Sequence, residues 1–362
     1  MFHNKTVFIS GWTGSWGQEL VSQLLPYLPK EVVVYSRWEH KQVEMRRKFH
    51  GLGNVKYIIW DVRDRERLIS VTQGVDIIFH LAALKHVPIC EDNPYESVQT
   101  NITGTQNIID AAIINKVTRV IDVSTDKAVD PFNIYWTCKA VWEKLIIAAN
   151  TQTDATDFIC VRWGNVLWTN GSVVPLFIEQ IKKLNKVTIT NAEMTRFIMS
   201  LKEAIALLIT ASTEAKGGEV LVMNMPWLTV DTIANTLIQA YGNLQTEKLV
   251  IWSRPGEKQH ELLVSQYESE RCYKLNNEYF VILPMIEIKR DYSEYHRLQK
   301  IPHAFFGSNN THMLSTQEFE LILKKDGWID SAKDPRDSSL DLESLSKNEL
   351  LNYFQSQWWI KR

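Results

Sequence analysis

The side chains of Tyr135 and Lys139 are spaced for proton transfer to or from an alcohol. They lie four residues apart, and positions i and i+4 share one face of a helix. A lysine ammonium beside a phenol favours the phenolate, so we expect it to bring the pKa of Tyr135 down towards neutral. The sequence therefore predicts that Tyr135 is a general base for an alcohol that is being oxidised.

A hydroxyl, a carboxylate and an ammonium precede this pair. Thr125, Asp126 and Lys127 follow an apolar run that reads as a strand, and ligands of parallel α/β sheets bind at the carboxyl ends of the strands. Adjacent carboxyl and ammonium groups beside a cofactor can be pushed to opposite proton-transfer roles. The alternative is a surface ion pair between Asp126 and Lys127.

Glycines at the end of the first predicted strand indicate a phosphate-binding loop. Residues 11–17 read GWTGSWG and precede a predicted helix. Glycine lets the backbone approach a pyrophosphate closely, and the helix N-terminus offers it free N–H groups and a positive dipole end. A plain tight turn is the alternative. The loop residues that we expect to bind a dinucleotide are Gly11, Thr13, Gly14, Ser15 and Gly17.

The residues after the second predicted strand favour NADP over NAD. An NAD site usually carries Asp or Glu about 20 residues after the glycine loop, where it binds the ribose 2′-hydroxyl. This chain has Ser36 and Arg37 there and Lys41 one turn further on. A hydroxyl and two cations suit a 2′-phosphate, and NAD is the alternative. Asp61 and Val62, after the third predicted strand, lie where an adenine would bind.

Alternating strands and helices must position these residues. The predicted strands are 6–10, 31–35, 55–60, 75–80, 117–123 and 157–161, and the predicted helices between them are 18–25, 41–49, 66–73, 97–115 and 135–150. Such alternation predicts an α/β fold. We expect a Rossmann-like, doubly wound parallel sheet, accompanied by a smaller C-terminal substrate-binding lobe.

The same alternation of strands and helices predicts how the chain divides into domains. We expect residues 1–165 to form an NADP-binding Rossmann domain, to which residues from about 197 to 225 return. Residues 166–330 should form mainly the substrate-binding lobe, and residues 331–362 a polar extension with a terminal helix at 344–358.

Composition excludes several classes of protein. The 362 residues carry a net charge of −2, which gives no electrostatic reason to bind nucleic acid or an anionic membrane. No apolar run approaches the ~18 residues of a membrane span, and the N-terminal residues lack the pattern of a secretory signal. Four scattered cysteines argue against a metal site or a disulfide framework and fit a reducing cytoplasm. We therefore expect a cytoplasmic protein.

Further motifs carry a family resemblance. The chain resembles the extended short-chain dehydrogenases/reductases, and more narrowly the UDP-N-acetylglucosamine 4,6-dehydratases of the inverting, pseudaminic-acid type. The resemblance covers about residues 5–325, and its most specific motifs are Thr-Asp-Lys at 125–127 and Arg-Pro-Gly-Glu-Lys at 254–258. The other matching stretches are 35–37, 61–64, 82–88, 164–166, 171–175 and 194–197.

The resemblance implies a redox cycle within one UDP-sugar. Tyr135 would take the proton of the 4-hydroxyl while hydride passes from carbon 4 to NADP⁺. Lys127 would then be the base at carbon 5, Asp126 the acid that helps the 6-hydroxyl leave as water, and the hydride would return to carbon 6. The product would be a UDP-4-keto-6-deoxy-N-acetylhexosamine for surface glycans or flagellin glycosylation, with inversion at carbon 5 left open.

The resemblance also implies binding residues around this centre. Thr125 would hydrogen-bond the 4-oxygen and Lys139 would hold the nicotinamide ribose. Family members usually form dimers or larger assemblies, so we expect a homo-oligomer. The further cofactor-binding residues implied are Ala82, Ala83, Lys85, Tyr135 and Lys139. The implied substrate-binding residues are Lys85, Asn165, Val173, Thr195, Arg196, Arg254 and Glu257, with a structural turn pair as the alternative for Arg254 and Glu257.

Two other functions stay open at this point. A UDP-sugar 4-epimerase or reductase of the same superfamily would need Tyr135 and Lys139 but neither Asp126 nor Lys127. A catalytically impaired dinucleotide-binding regulatory protein is the non-enzymatic alternative.

The chain is poor in glycine and rich in tryptophan. It has 15 glycines and 13 tryptophans, whereas average usage predicts roughly 25 glycines. Where the backbone must pass close to a ligand or another strand, an indole adds more volume than the space holds. Such overpacking typically lowers stability by ~1–3 kcal/mol. The tryptophans at positions that are glycine in the resembled family are Trp12, Trp60, Trp136, Trp168 and Trp252, with Trp142 and Trp227 as weaker candidates.

Two interpretations account for these tryptophans. Either the protein is a decayed or regulatory relative whose cofactor site is partly blocked, or its gene uses UGA for glycine and the codons were translated as tryptophan. In the second case, a peptide spanning residues 5–30 of the protein from its native host carries a glycine mass at position 12. A tryptophan mass there would exclude it.

Overall fold

A nine-stranded sheet forms the larger part of the protein. The computed structural model describes residues 1–11, 14–52, 54–167, 172–251, 257–302 and 304–329. The strands are β1 (Thr6–Ser10), β2 (Glu31–Ser36), β3 (Val55–Ile59), β4 (Ile77–His80), β5 (Arg119–Thr125), β6 (Asp157–Trp163), β7 (Asn165–Val166), β8 (Lys186–Ile189), β9 (Thr195–Met199), β10 (Val220–Met223), β11 (Trp227–Thr229), β12 (Glu247–Val250), β13 (Leu262–Val264), β14 (Cys272–Lys274), β15 (Tyr279–Ile282) and β16 (Phe306–Gly307).

Helices cover both faces of this sheet and build the rest of the protein. They are α1 (Ser15–Leu24), α2 (Glu39–Lys48), α3 (Arg65–Val71), α4 (Val87–Asp92), α5 (Pro94–Val98), α6 (Gly104–Ile114), α7 (Ile134–Ala149), α8 (Val173–Leu184), α9 (Leu201–Glu214), α10 (Val230–Tyr241), α11 (Gln266–Ser269) and α12 (Thr316–Lys325). A π-helical turn, Gln99–Thr103, joins α5 to α6.

The large sheet has the order β14-β15-β10-β6-β5-β4-β1-β2-β3. From β3 to β10 every neighbouring pair is parallel, and β15 and β14 add antiparallel strands at one edge. The residues of β1 are all buried, as the near-continuous apolar strands of a sheet covered on both faces should be. The predicted doubly wound α/β fold is confirmed.

A second hydrophobic cluster lies outside the large sheet. It is built from one face each of α8, α10 and α12, on which apolar side chains recur at helical spacing. Its central members are Phe177, Ile181, Ile233, Leu237, Phe319 and Leu323. Of the three small sheets, β11-β9-β7 and β12-β8 contribute side chains to this cluster, whereas the side chains of β13-β16 belong to the core of the large sheet.

The helices that the structure describes are all too short or too polar to cross a membrane. The predicted terminal helix at 344–358 lies outside the described residues.

Candidate active site

Gly11 brings the end of β1 against the chain that follows β4. Its φ is 92°, in the left-handed region, and a Cβ added to it would lie 2.2 Å from the Cα atom of Ala82. Only glycine allows this approach. Gly14 is the N-cap of α1, Ser15 is its first residue and Gly17 lies in its first turn. The predicted loop residue Thr13 lies outside the described residues, as does Trp12.

Replacing Gly11 by alanine tests this approach. Gly51→Ala is the matched control, because Gly51 also has a positive φ of 82° but has no atom within 4 Å of the added Cβ. Both variants carry backbone strain, but only Gly11→Ala collides with Ala82. We expect Gly11→Ala to lower the free energy of unfolding by about 1–3 kcal/mol more than Gly51→Ala. Urea unfolding measures the difference, and equal losses would contradict the prediction.

Two of the residues expected to bind the 2′-phosphate, Ser36 and Arg37, lie at the carboxyl end of β2, and Asp61, expected beside the adenine, follows β3. Ser36 is buried, and its Oγ accepts a hydrogen bond of 3.0 Å from Nε2 of Gln42. The guanidinium of Arg37 lies 3.5 Å from the carboxylate of Asp61. Burial opposes the shift, but hydrogen bonds from Arg63 and the charge of Arg37 lower the pKa of Asp61. A cleft of about 580 Å³ opens here, lined by Arg37, Ile59, Trp60, Asp61, Arg63 and Asp64.

Two of the lysines expected to bind the cofactor act on each other electrostatically. Lys85 follows Ala82 and Ala83 after β4, and Lys41 lies in α2. Desolvation by the surrounding chain and the ammonium of Lys41 lower the pKa of Lys85, so the two ammonium groups lie within electrostatic range of each other. Positive charge of this kind suits the phosphates of a dinucleotide.

The end of β5 holds a buried acid–base cluster. Asp126 is completely buried, and its Oδ1 accepts hydrogen bonds from Thr125 Oγ1 at 2.7 Å and from Lys127 Nζ at 2.8 Å. Lys127 Nζ also donates to Asn165 Oδ1 at 3.0 Å. Burial opposes the shift, but the carboxylates of Asp126 and Glu261 raise the pKa of Lys127. Lys127 is therefore an ammonium in this arrangement.

Tyr135 lies in the first turn of α7, beside this cluster. Asn133 caps the helix, its side chain accepting a hydrogen bond of 2.9 Å from the backbone N–H of Trp136. Burial raises the pKa of Tyr135 to about 12, although the charge of Lys127 opposes the shift. The phenol, Lys127 and Asp126 are close enough for their charges to interact.

The expected effect of Lys139 on Tyr135 is wrong for this structure. The pKa of the phenol is raised rather than lowered, because burial dominates and the lysine points elsewhere. Lys139 Nζ donates to the carbonyl of Val123 at 2.7 Å and lies 3.1 Å from the ring centroid of Trp142. Burial lowers the pKa of Lys139 to about 8. The spacing of four residues placed both side chains on one helix but did not determine where each points.

Trp142 occupies the space beneath Lys139. Its side chain is fully buried, and its Nε1 donates to Oδ1 of Asp122. The ring also lies 4.7 Å, between centroids, from that of His80. A large side chain at this position of α7 thus contacts the lysine that the sequence assigns to the active site.

Arg196 and two glutamates, Glu257 and Glu261, come to this cluster from later in the chain. Arg196, on β9, lies 3.7 Å from Glu257 through Nη2 and 3.7 Å from Glu261 through Nε. Oε1 of Glu261 also lies 4.0 Å from Nζ of Lys127. Sequence reasoning missed Glu261, although a charged residue directly before the apolar run of β13 is a signal that could have identified it.

Thr195, Val173 and Arg254 were also predicted to bind the substrate. The Thr195 Oγ1 atom is 2.8 Å from His260 Nδ1 and 2.7 Å from Ser308 Oγ, so its hydroxyl has structural partners. Val173 is the first residue of α8. Arg254 lies outside the described residues.

Two of the five tryptophans at glycine positions are described. Trp60 is 44% exposed, lines the cleft beside Asp61 and donates from Nε1 to Asp64 at 2.6 Å. Trp136 is buried, and its Nε1 has no hydrogen-bond partner among the described residues. An unpaired buried donor costs about 1–3 kcal/mol, a penalty expected where an indole replaces glycine. Trp12, Trp168 and Trp252 lie outside the described residues.

Known proteins resemble this chain over most of its length. The inverting UDP-N-acetylglucosamine 4,6-dehydratase of Campylobacter jejuni is 37% identical over 332 residues, which are 89% of this chain and 97% of that protein. The UDP-glucose 4-epimerase of Rickettsia prowazekii is 39% identical over 336 residues, 90% of this chain and 97% of that protein.

A solved structure also resembles this chain over most of its length. The X-ray structure of Pen from Bacillus thuringiensis is 35% identical and superposes with a TM-score of 0.84 over 91% of this chain and 99% of that one. The family model for polysaccharide biosynthesis proteins matches residues 7–283. The resemblance expected from the motifs is confirmed, and the chain belongs to the polysaccharide biosynthesis protein family, within the superfamily of nucleotide-sugar dehydratases and epimerases.

Proposed function

We propose that the protein is an NADP-dependent UDP-N-acetylglucosamine 4,6-dehydratase. The observation that carries this proposal is the pair of the buried Asp126 and the half-buried Lys127, joined at 2.8 Å beside Tyr135. A 4-epimerase needs a base for the 4-hydroxyl but no acid and base for loss of water. The identity shared with the Campylobacter dehydratase supports the same substrate.

The loop and the cations of the first domain support NADP as the cofactor. The backbone approach at Gly11 leaves room that a Cβ would fill, and Arg37, Lys41 and Lys85 would hold the phosphates. When bound, the cofactor would supply the hydride acceptor for carbon 4 and the hydride donor for carbon 6, and protonation at carbon 5 would complete the product. Arg37 lies 3.5 Å from the carboxylate of Asp61, so its guanidinium is held at the carboxyl end of β2.

The residues of this chain then divide the proton transfers. Tyr135 takes the proton of the 4-hydroxyl, and the hydroxyl of Thr125, which donates to Asp126 at 2.7 Å in this structure, would turn to donate to the 4-oxygen once substrate binds. Lys127 removes the proton at carbon 5, for which it must first lose its own extra proton. Asp126 accepts that proton across 2.8 Å, and the same transfer makes it the acid that protonates the leaving 6-oxygen. One proton transfer thus prepares both groups.

The assay incubates the protein with UDP-N-acetylglucosamine and no added reductant. We expect a 4-keto-6-deoxy product, identified by nuclear magnetic resonance, without net formation of NADPH, because each hydride removed at carbon 4 returns at carbon 6. Net accumulation of NADPH would indicate a simple dehydrogenase instead.

A UDP-sugar 4-epimerase is the second candidate. The observation that favours it is the 39% identity with the Rickettsia UDP-glucose 4-epimerase, over 90% of this chain. The same assay separates the two functions, because an epimerase yields the 4-epimer of the supplied sugar with the 6-hydroxyl retained. UDP-glucose is tested in parallel with UDP-N-acetylglucosamine.

A further inference from the structure

Glu261 reaches the catalytic cluster from the second lobe. It directly precedes β13, and only 3% of its surface is exposed. Its Oε1 lies 4.0 Å from Nζ of Lys127 and 3.7 Å from Nε of Arg196. Its Oε2 is buried and has no hydrogen-bond partner among the described residues. A carboxylate this buried is costly unless cations face it.

The backbone of Glu261 is held on both sides. Its N–H donates to Oγ of Ser308 at 2.8 Å, and the N–H of Ser308 donates to its carbonyl at 2.8 Å. Oγ of Ser308 in turn lies 2.7 Å from Oγ1 of Thr195. These contacts tie Glu261 to β9 and β16, so the carboxylate is presented to Lys127 by a rigid support.

Two carboxylates therefore flank one ammonium, and they differ in their contacts. Asp126 makes a direct hydrogen bond to Lys127, whereas Glu261 lies farther away and also faces Arg196. When Asp126 accepts the proton of Lys127, it loses its charge. Glu261 is then the anion that remains beside the amine.

We propose that Glu261 is a positioning residue of the dehydration step, whose carboxylate stabilises the ammonium that forms on Lys127 as it removes the carbon-5 proton. This inference rests on the function proposed above. In the step, the C5–H bond breaks, an N–H bond forms on Lys127, and the electron pair delocalises onto the 4-keto oxygen. The proton on Asp126 then passes to the 6-oxygen, the C6–O bond breaks and water leaves.

The charges around Glu261 define a pH dependence. The groups that face it are Lys127 and Asp126 after β5, Arg196 on β9 and Lys258 on its own segment. Burial raises the pKa of Glu261, although the three cations oppose the shift. As the pH falls through this raised pKa, Glu261 becomes neutral, Lys127 loses basicity and the dehydration rate falls.

Glu261→Gln keeps the size of the side chain and removes its charge. We expect kcat to fall about 10–100-fold, the range typical of groups that orient and tune a reacting residue, with KM changed only a few-fold. Exchange of the carbon-5 proton with deuterated solvent should slow by the same factor, while single-turnover oxidation at carbon 4 keeps its rate. In the wild type, protonation of Glu261 contributes to the acidic limb of the pH profile, the fall of the dehydration rate at low pH. That contribution should be absent from the pH profile of Glu261→Gln.

Two further variants complete the test. Glu247→Gln, on the exposed strand β12, should match the wild type. Glu261→Asp keeps the charge, so we expect it to recover kcat to within about tenfold of the wild type with the acidic limb retained. If Glu261→Gln does not fold, Glu261→Asp still tests the proposed role of Glu261. A Glu261→Asp variant that folds but does not dehydrate the substrate would overturn the inference.

The failures of the two proposals are distinguishable. If the wild type makes the 4-keto-6-deoxy product and Glu261→Gln keeps kcat and its acidic limb, the role of Glu261 is wrong and the proposed function stands. If the wild type makes no such product, the proposed function fails and the role of Glu261 fails with it.

Discussion

Replacing Tyr135 by phenylalanine should lower turnover of UDP-N-acetylglucosamine by about 10²–10⁴-fold, the usual contribution of a general acid or base. The substitution removes only the hydroxyl and leaves the ring in the first turn of α7. Stability should therefore change little, and the loss should appear in kcat. Product formation under saturating substrate measures it.

Tyr267→Phe is the matched control, because this tyrosine is 84% exposed and lies in the short helix α11. It should keep full activity. A Tyr135→Phe variant within a few-fold of the wild type would remove Tyr135 from the reaction.

The pH profile gives a second measurement of the same residue. With a pKa of about 12, only a small fraction of the Tyr135 phenol is ionised at neutral pH. Oxidation at carbon 4 should therefore become faster as the pH rises from neutral, because the phenolate fraction grows about tenfold per pH unit below the pKa. Tyr135→Phe should lack this rise, and a rise that survives in the variant would assign it to another group.

Replacing Arg162 by methionine should lower the free energy of unfolding by about 3–5 kcal/mol, the cost of removing one partner from a buried ion pair. Arg162 is 2% exposed on β6. It donates to Glu143 on α7 at 2.9 and 2.6 Å, to Glu268 on α11 at 3.0 and 2.9 Å, and to the carbonyl of Leu263 at 2.8 Å. Its loss removes the hydrogen-bonding cation of two carboxylates, one on α7 and one on α11. Urea unfolding measures the change.

The control for Arg162→Met is an exposed ion pair. Lys183→Gln removes the cation of the pair with Glu179, in which both side chains are more than half exposed, and such surface pairs contribute little. It should leave the unfolding midpoint nearly unchanged. Equal effects of the two substitutions would show that the buried network does not stabilise the fold.

Glu268 gives this network a pH dependence. Burial opposes the shift, but Arg162 lowers the pKa of Glu268 to about 2, below its ordinary value of about 4.3. A carboxyl with a lowered folded-state pKa stabilises the protein above the unfolded value and loses that contribution as the pH falls towards the folded one. The stability difference between the wild type and Glu268→Gln should thus be constant above about pH 5 and shrink from there towards about pH 2.

Local patterns predicted much of the sheet. Strand β1 was predicted over residues 6–10, as observed, because a buried parallel strand reads as an apolar run between turn signals. The helix predicted over 97–115 is interrupted by the π-helical turn Gln99–Thr103. That turn depends on how the helix packs, and no residue pattern marked it.

The sequence by itself determined the family, the parallel sheet and the residues around which the site is built. Short-range spacing carries this information, since a glycine loop between a strand and a helix constrains its backbone locally, and two residues four apart on a helix lie on one face. Thr125, Asp126 and Lys127 could be placed at the end of a strand for this reason.

Only the tertiary structure decided the charges and directions within the site. Burial raised the pKa of Tyr135, the Val123 carbonyl and Trp142 drew Lys139 away from it, and Glu261 came to Lys127 from more than a hundred residues further along the chain. Desolvation and long-range charge pairs depend on which distant segments pack together, and one-dimensional spacing does not contain that information. The sequence therefore identified which groups could do the chemistry, and burial together with charges from distant segments determined the directions in which the pKa values of Tyr135 and Lys127 shift.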